Sequence, residues 1–160
     1  MILHKQFDYL ANHIQYLAKI ARWRTNEWSH YNPTLTHANS LKSFREHCNY
    51  DKLPITYLYF ENSKPVAMIS IRIVELLQYK HLEPWVGGIY VQKNYRNRGI
   101  GKILVHYAEK VVASLNYKAL YLFIFNLKLQ AWYENLGYNV LETNTFNNYP
   151  IIVMKKDIRT

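Results

Sequence analysis

Cysteine is nearly absent from this chain: Cys48 is the single one in 160 residues. An intramolecular disulfide framework is therefore excluded, and a packed core must hold the fold. Glycine and proline are scarce too, with five of each, and no flexible linker or internal repeat is visible. Long apolar runs are missing. The longest, 120–125, is strand-sized, far below the ~18 residues a membrane span needs. His4, Lys5, Gln6 and Asp8 interrupt the N-terminus early, so no signal-peptide pattern forms there. A cytoplasmic protein with no membrane partner is the expectation. Acidic residues are the minority, 11 against 20 Lys and Arg, for a net charge of +9. Such a charge first raises nucleic acid as a partner. The positive residues, however, are spread along the chain with only a modest cluster at 93–102, which argues against that reading. A polycationic partner would be repelled at long range unless a local acidic groove offset the field. The histidines lack metal-ligand spacing, so no metal is expected.

What is present is apolar and aromatic: 49% and 16% of the residues. This is enough for one core, and one domain over 1–160 is expected. Leu3, Phe7, Leu10, Ile14, Leu17 and Ala21 recur at spacings of three and four, which predicts an amphipathic first helix. Pro33 disfavours helix at Asn32 and ends that stretch. A short second helix is expected over 36–48, and strands over 55–60, 66–75 and 85–91. Gly87 and Gly88 inside the third of these predict a bulge or a close backbone approach. Ile100, Ile103, Leu104, Tyr107, Ala108, Val111, Val112 and Leu115 form a helical stripe. A buried strand over 119–125, a short helix over 127–136 closed by Gly137, and strands over 138–142 and 151–155 joined by an Asn-rich loop complete the chain.

The most informative stretch is 89–101. An apolar run ends at Val91, a basic glycine-containing turn follows, and the helical stripe begins near Ile100. A strand, a turn rich in free N–H groups and a helix N-terminus make an anion site. Glycines admit a ligand close to the backbone, and Arg96, Arg98 and Lys102 add positive charge. Two common phosphate loops fail on spacing. A Walker A loop ending at Gly101 and Lys102 needs Gly at 96 and Ser or Thr at 103, where Arg96 and Ile103 stand. A dinucleotide fingerprint starting at Gly99 needs Gly or Ala at 104, where Leu104 stands. What remains is Arg-x-x-Gly-x-Gly on Arg96, Gly99 and Gly101. A second block lies downstream: Asn126 after the apolar strand, Tyr133 seven positions later, then Gly137 and Tyr138. The two blocks, in this order and across roughly 85–140, resemble the GNAT N-acetyltransferase family.

The resemblance implies an α/β (α+β mixed) GNAT acyl-CoA acyltransferase fold. Its central mixed, mostly antiparallel sheet has a splayed fourth strand and flanking helices. It implies acetyl-CoA as co-substrate and transfer to a primary amine in a ternary complex, without a covalent enzyme intermediate. A small-molecule amine is the expected acceptor. A protein or peptide acceptor, and an inactive acyl-CoA sensor, are the alternatives; a homodimer is compatible with the family. By the same resemblance the backbone of Arg96, Asn97, Arg98, Gly99, Ile100, Gly101 and Lys102 holds the pyrophosphate. Asn126 and the strand residues Ile89, Tyr90 and Val91 hold the pantetheine arm, and one strand N–H polarises the thioester carbonyl. Asn126 also suits a helix N-cap. Tyr133, a phenol protonated at neutral pH, is the expected general acid. Many family members carry Glu where Trp85 stands. Glu83, two residues earlier, is the expected base acting through a water, with Glu75 in reserve. Trp28, Tyr31 and Trp85, with His30 nearby, are expected on the acceptor side.

Overall fold

Alternating apolar residues become strands, and the three-four stripes become helices. The computed structural model describes residues 6–159. Chain order is β1 (Phe7–Tyr9), α1 (Leu17–Trp28), α2 (His37–Glu46), β2 (Ile55–Glu61), β3 (Lys64–Arg72) and β4 (Trp85–Val91). Then come α3 (Ile100–Ser114), β5 (Ala119–Ile124), α4 (Gln130–Asn135), β6 (Asn139–Phe146) and β7 (Tyr149–Asp157). Among the described residues the strands form one sheet in the order β1-β2-β3-β4-β5-β7-β6. Every neighbouring pair is antiparallel except β4 and β5, which are parallel.

Period two divides the sheet's side chains between two faces. Ile55, Tyr57, Ile69, Ile71, Leu120 and Leu122 join Ile100, Leu104, Val105, Ala108 and Val112 of α3 in the main core. On the other face Leu58 and Met68 pack with Ile20, Ala21 and Trp23 of α1 and Phe44 of α2. Beside them, Trp85 and Tyr121 pack with Leu76, Tyr79, Ile151 and Val153. β3 lies between covered faces, which is why 65–71 is continuously buried.

The sheet has one irregularity that matters. β4 and β5 share a single register pair, Trp85 with Tyr121, beside which Tyr121 N–H donates to Pro84 O at 3.0 Å. Beyond this rung the strands part. The β3–β4 register slips between Ser70–Gly88 and Ile71–Val86, which leaves Gly87 as the extra residue of a bulge. A bulge bends its strand, and here it turns β4 away from β5. A Cβ at Gly87 would stand 2.5 Å from Arg72 Cδ and 3.0 Å from Glu75 Oε2, so any side chain here would displace Arg72.

Two expectations change. The first apolar stripe is not one helix. Leu3 lies outside the described residues, Phe7–Tyr9 pairs with β2, and two 3-10 turns precede α1. The reason is long-range stacking: the Phe7 ring lies 3.8 Å from that of Tyr107, nearly parallel to it, and edge-on to Tyr59. The Asn-rich segment after 142 is likewise strand, not loop. β6 and β7 meet at a two-residue turn whose Asn147 and Asn148 have φ of 48° and 67°, the turn type Asn favours in tight hairpins.

Trp85 is fully buried, and its Nε1–H donates to Leu82 O at 2.7 Å. It is core at the one rung joining β4 to β5, not an acceptor contact, which corrects the sequence expectation. Trp85→Ala should lower unfolding stability by about 3–5 kcal/mol, read from urea midpoints at unchanged m-value. A loss below about 1 kcal/mol would contradict this placement.

Candidate active site

The parting of β4 from β5 opens a cavity of about 840 Å³. Its lining comes from the end of α1 and the connection after it, the end of β3, the bulged part of β4, the end of β5, and the start of the α4 segment.

The strand edge facing the gap can be read from the register. Gln92 N–H donates to Val66 O at 2.8 Å. Antiparallel alternation then directs Tyr90 and Gly88 to β3, and Ile89 and Val91 away from it. Ile89 and Val91 therefore present backbone groups to the gap. Tyr90 does not. It pairs with Met68, and its ring stacks on Trp23 at 5.0 Å.

The loop after β4 leads into the N-terminus of α3. Asn97 and Gly99 both have positive φ, 62° and 82°. No side chain caps the helix. Ile103 N–H, bonded to Gly99 O at 3.2 Å, is the first to reach an intrahelical acceptor. The N–H groups of Ile100, Gly101 and Lys102 lack such an acceptor, as the first helical turn always does. A Cβ at Gly99 would meet nothing within 4 Å, so the space before the helix is open. This cradle fits an anionic diphosphate. Ile100 contributes only backbone, because its side chain is core. Arg98 lies over the Tyr95 ring at 5.2 Å, and Lys102 is exposed.

Arg96 behaves differently from expectation. Its Nε–H donates to Val91 O at 2.7 Å, its Nη2 lies 3.6 Å from Glu27 Oε2, and the guanidinium sits 5.4 Å over Tyr90. These contacts turn the side chain back onto β4 and α1. Arg96 fastens the loop rather than supplying charge to the cradle.

Tyr133 lines the cavity, and its position follows from how α4 terminates. Tyr138 N–H donates to Tyr133 O at 3.1 Å and Gly137 N–H to Glu134 O at 3.0 Å. Gly137 has φ +96°. This pair of bonds is the Schellman cap, and its usual apolar contact is the Tyr133–Tyr138 edge-to-face pair at 5.8 Å. Lys156 Nζ adds a bond to Leu136 O at 2.8 Å. The Gly-Tyr that follows Tyr133 is thus the device that fixes it. Burial alone raises the Tyr133 pKa, so the phenol stays protonated. Asn126 lines the same cavity and accepts from Lys128 N–H at 3.2 Å. Its side chain is a cap, and its amide NH₂ remains available.

The carboxylates sort clearly. Glu83 is exposed, stands near Tyr117 and is not among the residues lining the cavity. The strand-face argument for it fails because Trp85 is sealed in the core below the gap. Glu75 lines the cavity instead, beside the bulge at Gly87. Its side chain is 13% exposed and its Oε2 lies 3.2 Å from Arg72 Nη1. Arg72 is itself held by donating to Ser43 Oγ at 3.1 Å. Burial raises the Glu75 pKa, against the lowering effect of Arg72 and Arg24.

Trp28 and Tyr31 both line the cavity. Trp28 faces Gly88, and Tyr31 stacks on Phe125 at 4.0 Å, 3° from parallel. Tyr149 O–H donates to His30 O at 3.3 Å, and Asn147 Nδ2 to Tyr31 O at 3.1 Å. The β6–β7 turn is thereby tied to the connection after α1, over an aromatic wall. Sequence reasoning missed Arg24, Arg72 and Phe125. The first had a usable signal: Arg24, Glu27, Trp28 and Tyr31 are spaced i, i+3, i+4, i+7.

Comparison with known proteins agrees with this geometry. The model of the acetyltransferase (GNAT) family matches residues 17–138. No curated protein sequence shows significant similarity. The fold is similar to that of an aminoglycoside 6'-acetyltransferase type Ii, with 22% identity, 96% of this chain and 97% of that one covered, and TM-score 0.74. It is similar to an aminoglycoside 6'-N-acetyltransferase complexed with coenzyme A, at 19% identity, 88% and 91% coverage and TM-score 0.67. It is also similar to the ribosomal-protein-S18-alanine N-acetyltransferase of Escherichia coli, at 21% identity, 75% and 77% coverage and TM-score 0.59. With most of its length matched by the family model, the chain belongs to the GNAT family of acetyltransferases.

Proposed function

We propose that this protein moves an acetyl group from acetyl-CoA to a primary amine of a small molecule, by direct transfer in a ternary complex. The observation that carries this reading is the cavity where β4 parts from β5, which brings Ile89, Asn126, Tyr133 and Glu75 to one space, with the uncapped α3 N-terminus following β4 in the chain. The N–H groups from Asn97 to Lys102 hold the diphosphate, and Asn126 with the Ile89 and Val91 backbone holds the arm. Acetyl-CoA, when bound, supplies a thioester whose acetyl group is the one transferred.

Transfer requires that a proton leave the amine and that the departing sulfur receive one. Glu75 accepts the first: a buried carboxylate with a raised pKa is a stronger base than an exposed one. Tyr133 donates the second. The Ile89 or Val91 N–H stabilises the carbonyl oxygen as it gains charge, a contribution of about 10²–10³ in rate for such donors. The tie between the β6–β7 turn and the α1–α2 connection closes the acceptor end. That closure favours a small molecule over an extended peptide.

Three outcomes test the reading. In calorimetry, Gly99→Val should weaken acetyl-CoA binding at least tenfold, because a branched Cβ at φ +82° is strained and projects into the cradle; Gly99→Asn should bind better than Val. Unchanged affinity in the Val variant would remove the loop from the cofactor site. Tyr133→Phe should lower kcat about a hundredfold in a thiol-release assay while acetyl-CoA affinity holds. An unaltered rate would remove Tyr133 from the chemistry.

The third outcome concerns pH. Glu75 must be ionised to act, so turnover should fall as pH drops through its raised pKa, above the ordinary 4.5. Glu75→Gln should abolish that limb and lower the plateau about a hundredfold. The stability sign is opposite. A folded-state pKa above the unfolded one means the folded protein binds more protons between the two values. Within that window stability declines as pH rises, and Glu75→Gln should flatten the decline. A pH–rate profile indifferent to Glu75 would assign the base elsewhere.

A further inference from the structure

The charges around the cavity do not cancel. Glu75 is engaged by Arg72 at 3.2 Å and Glu27 by Arg96 at 3.6 Å. Arg24, on the same face of α1 as Glu27 and Trp28, also lines the cavity. Its guanidinium lies 5.7 Å over the Phe44 ring, yet it makes no hydrogen bond or ion pair with any described residue. A guanidinium carries five N–H donors and retains its charge. One half-buried guanidinium without an acceptor is an expensive arrangement in a folded protein, unless a ligand supplies the acceptor.

From this geometry we infer that the acceptor amine carries an anionic group, a carboxylate, that Arg24 binds. The inference rests on the acetyltransferase reading above and narrows its substrate class to amino-acid-like zwitterions. A planar guanidinium fork matches a carboxylate with two parallel bonds. The remaining wall, with Trp28, Tyr31 and Phe125, suits a flat apolar body between the two charged ends. The same charge inventory disfavours polyamine acceptors. Both carboxylates lining the cavity are already paired, so additional ammonium groups find no free anion, and Arg24 repels them. The likeness in fold to aminoglycoside acetyltransferases therefore does not extend to their acceptor.

The test uses matched amines that differ by one carboxylate: phenylalanine and phenethylamine, tryptophan and tryptamine, 4-aminobutyrate and propylamine. Binding to the CoA-loaded protein is measured by calorimetry and turnover by thiol release. At least one carboxylate-bearing member should bind about tenfold to a hundredfold tighter than its partner, the range of a charged hydrogen bond. Arg24→Gln should erase that preference while leaving CoA affinity unchanged. Arg24→Lys, which keeps charge and stem but not the fork, should retain part of it. Should Arg24→Gln fail to fold, the Lys variant and the wild-type preference still decide. Equal binding within every pair, binding of neither member, or a preference that survives Arg24→Gln overturns the inference. In those cases acetyl-CoA binding and turnover of some other amine leave the acetyltransferase reading standing. Absence of acetyl-CoA binding overturns both.

Discussion

One rung holds the site open. Parallel strands normally pair along their length, since unpaired backbone groups inside a protein are costly. Here β4 and β5 pair only at Trp85 and Tyr121, and the bulge at Gly87 diverts β4 immediately afterwards. The gap that follows has a row of backbone groups on its edge, at Ile89 and Val91, that the sheet does not use. Those groups are the means by which an acyl-CoA arm can be held as if it were a strand. The bulge has a second consequence. Because Gly87 lacks a Cβ, Arg72 and Glu75 can lie against β4 at this point, which puts a carboxylate at the mouth of the gap. The unpaired strand edge and the carboxylate beside it therefore arise from the same irregularity.

Much of this was legible locally. Gly87 and Gly88 within an apolar run announce a bulge, and Gly99 and Gly101 after a strand announce a helix N-terminus open to an anion. Gly137 and Tyr138 announce the cap that fixes Tyr133. What periodicity could not reveal depended on partners far along the chain. Phe7 joins a strand because Tyr59 and Tyr107 offer ring surfaces, residues some 50 and 100 positions away. Arg96 reads as a phosphate ligand until Glu27 and Val91 are seen to claim it. The choice between Glu83 and Glu75 turned on whether the strand continues below Trp85; that indole is buried, and Glu75, not Glu83, lines the cavity.

Arg72 and Arg24 both act on Glu75, the proposed base. Two opposing effects set the Glu75 pKa: burial raises it, while Arg72 and Arg24 lower it. Arg72 is a fixed neighbour, bonded to Glu75 and anchored to Ser43. Arg24 has no such anchor, and its charge is the one a ligand can alter. When a substrate carboxylate neutralises Arg24, one of the two cations that hold Glu75 down is compensated, and the base strengthens. On the proposed reading, the anion that identifies the substrate also readies the carboxylate proposed to take the amine's proton. An amine without the anion would leave Arg24 uncompensated and meet a weaker base. In such a site, discrimination appears in kcat as well as in affinity, because the recognition charge and the catalytic charge share one cavity.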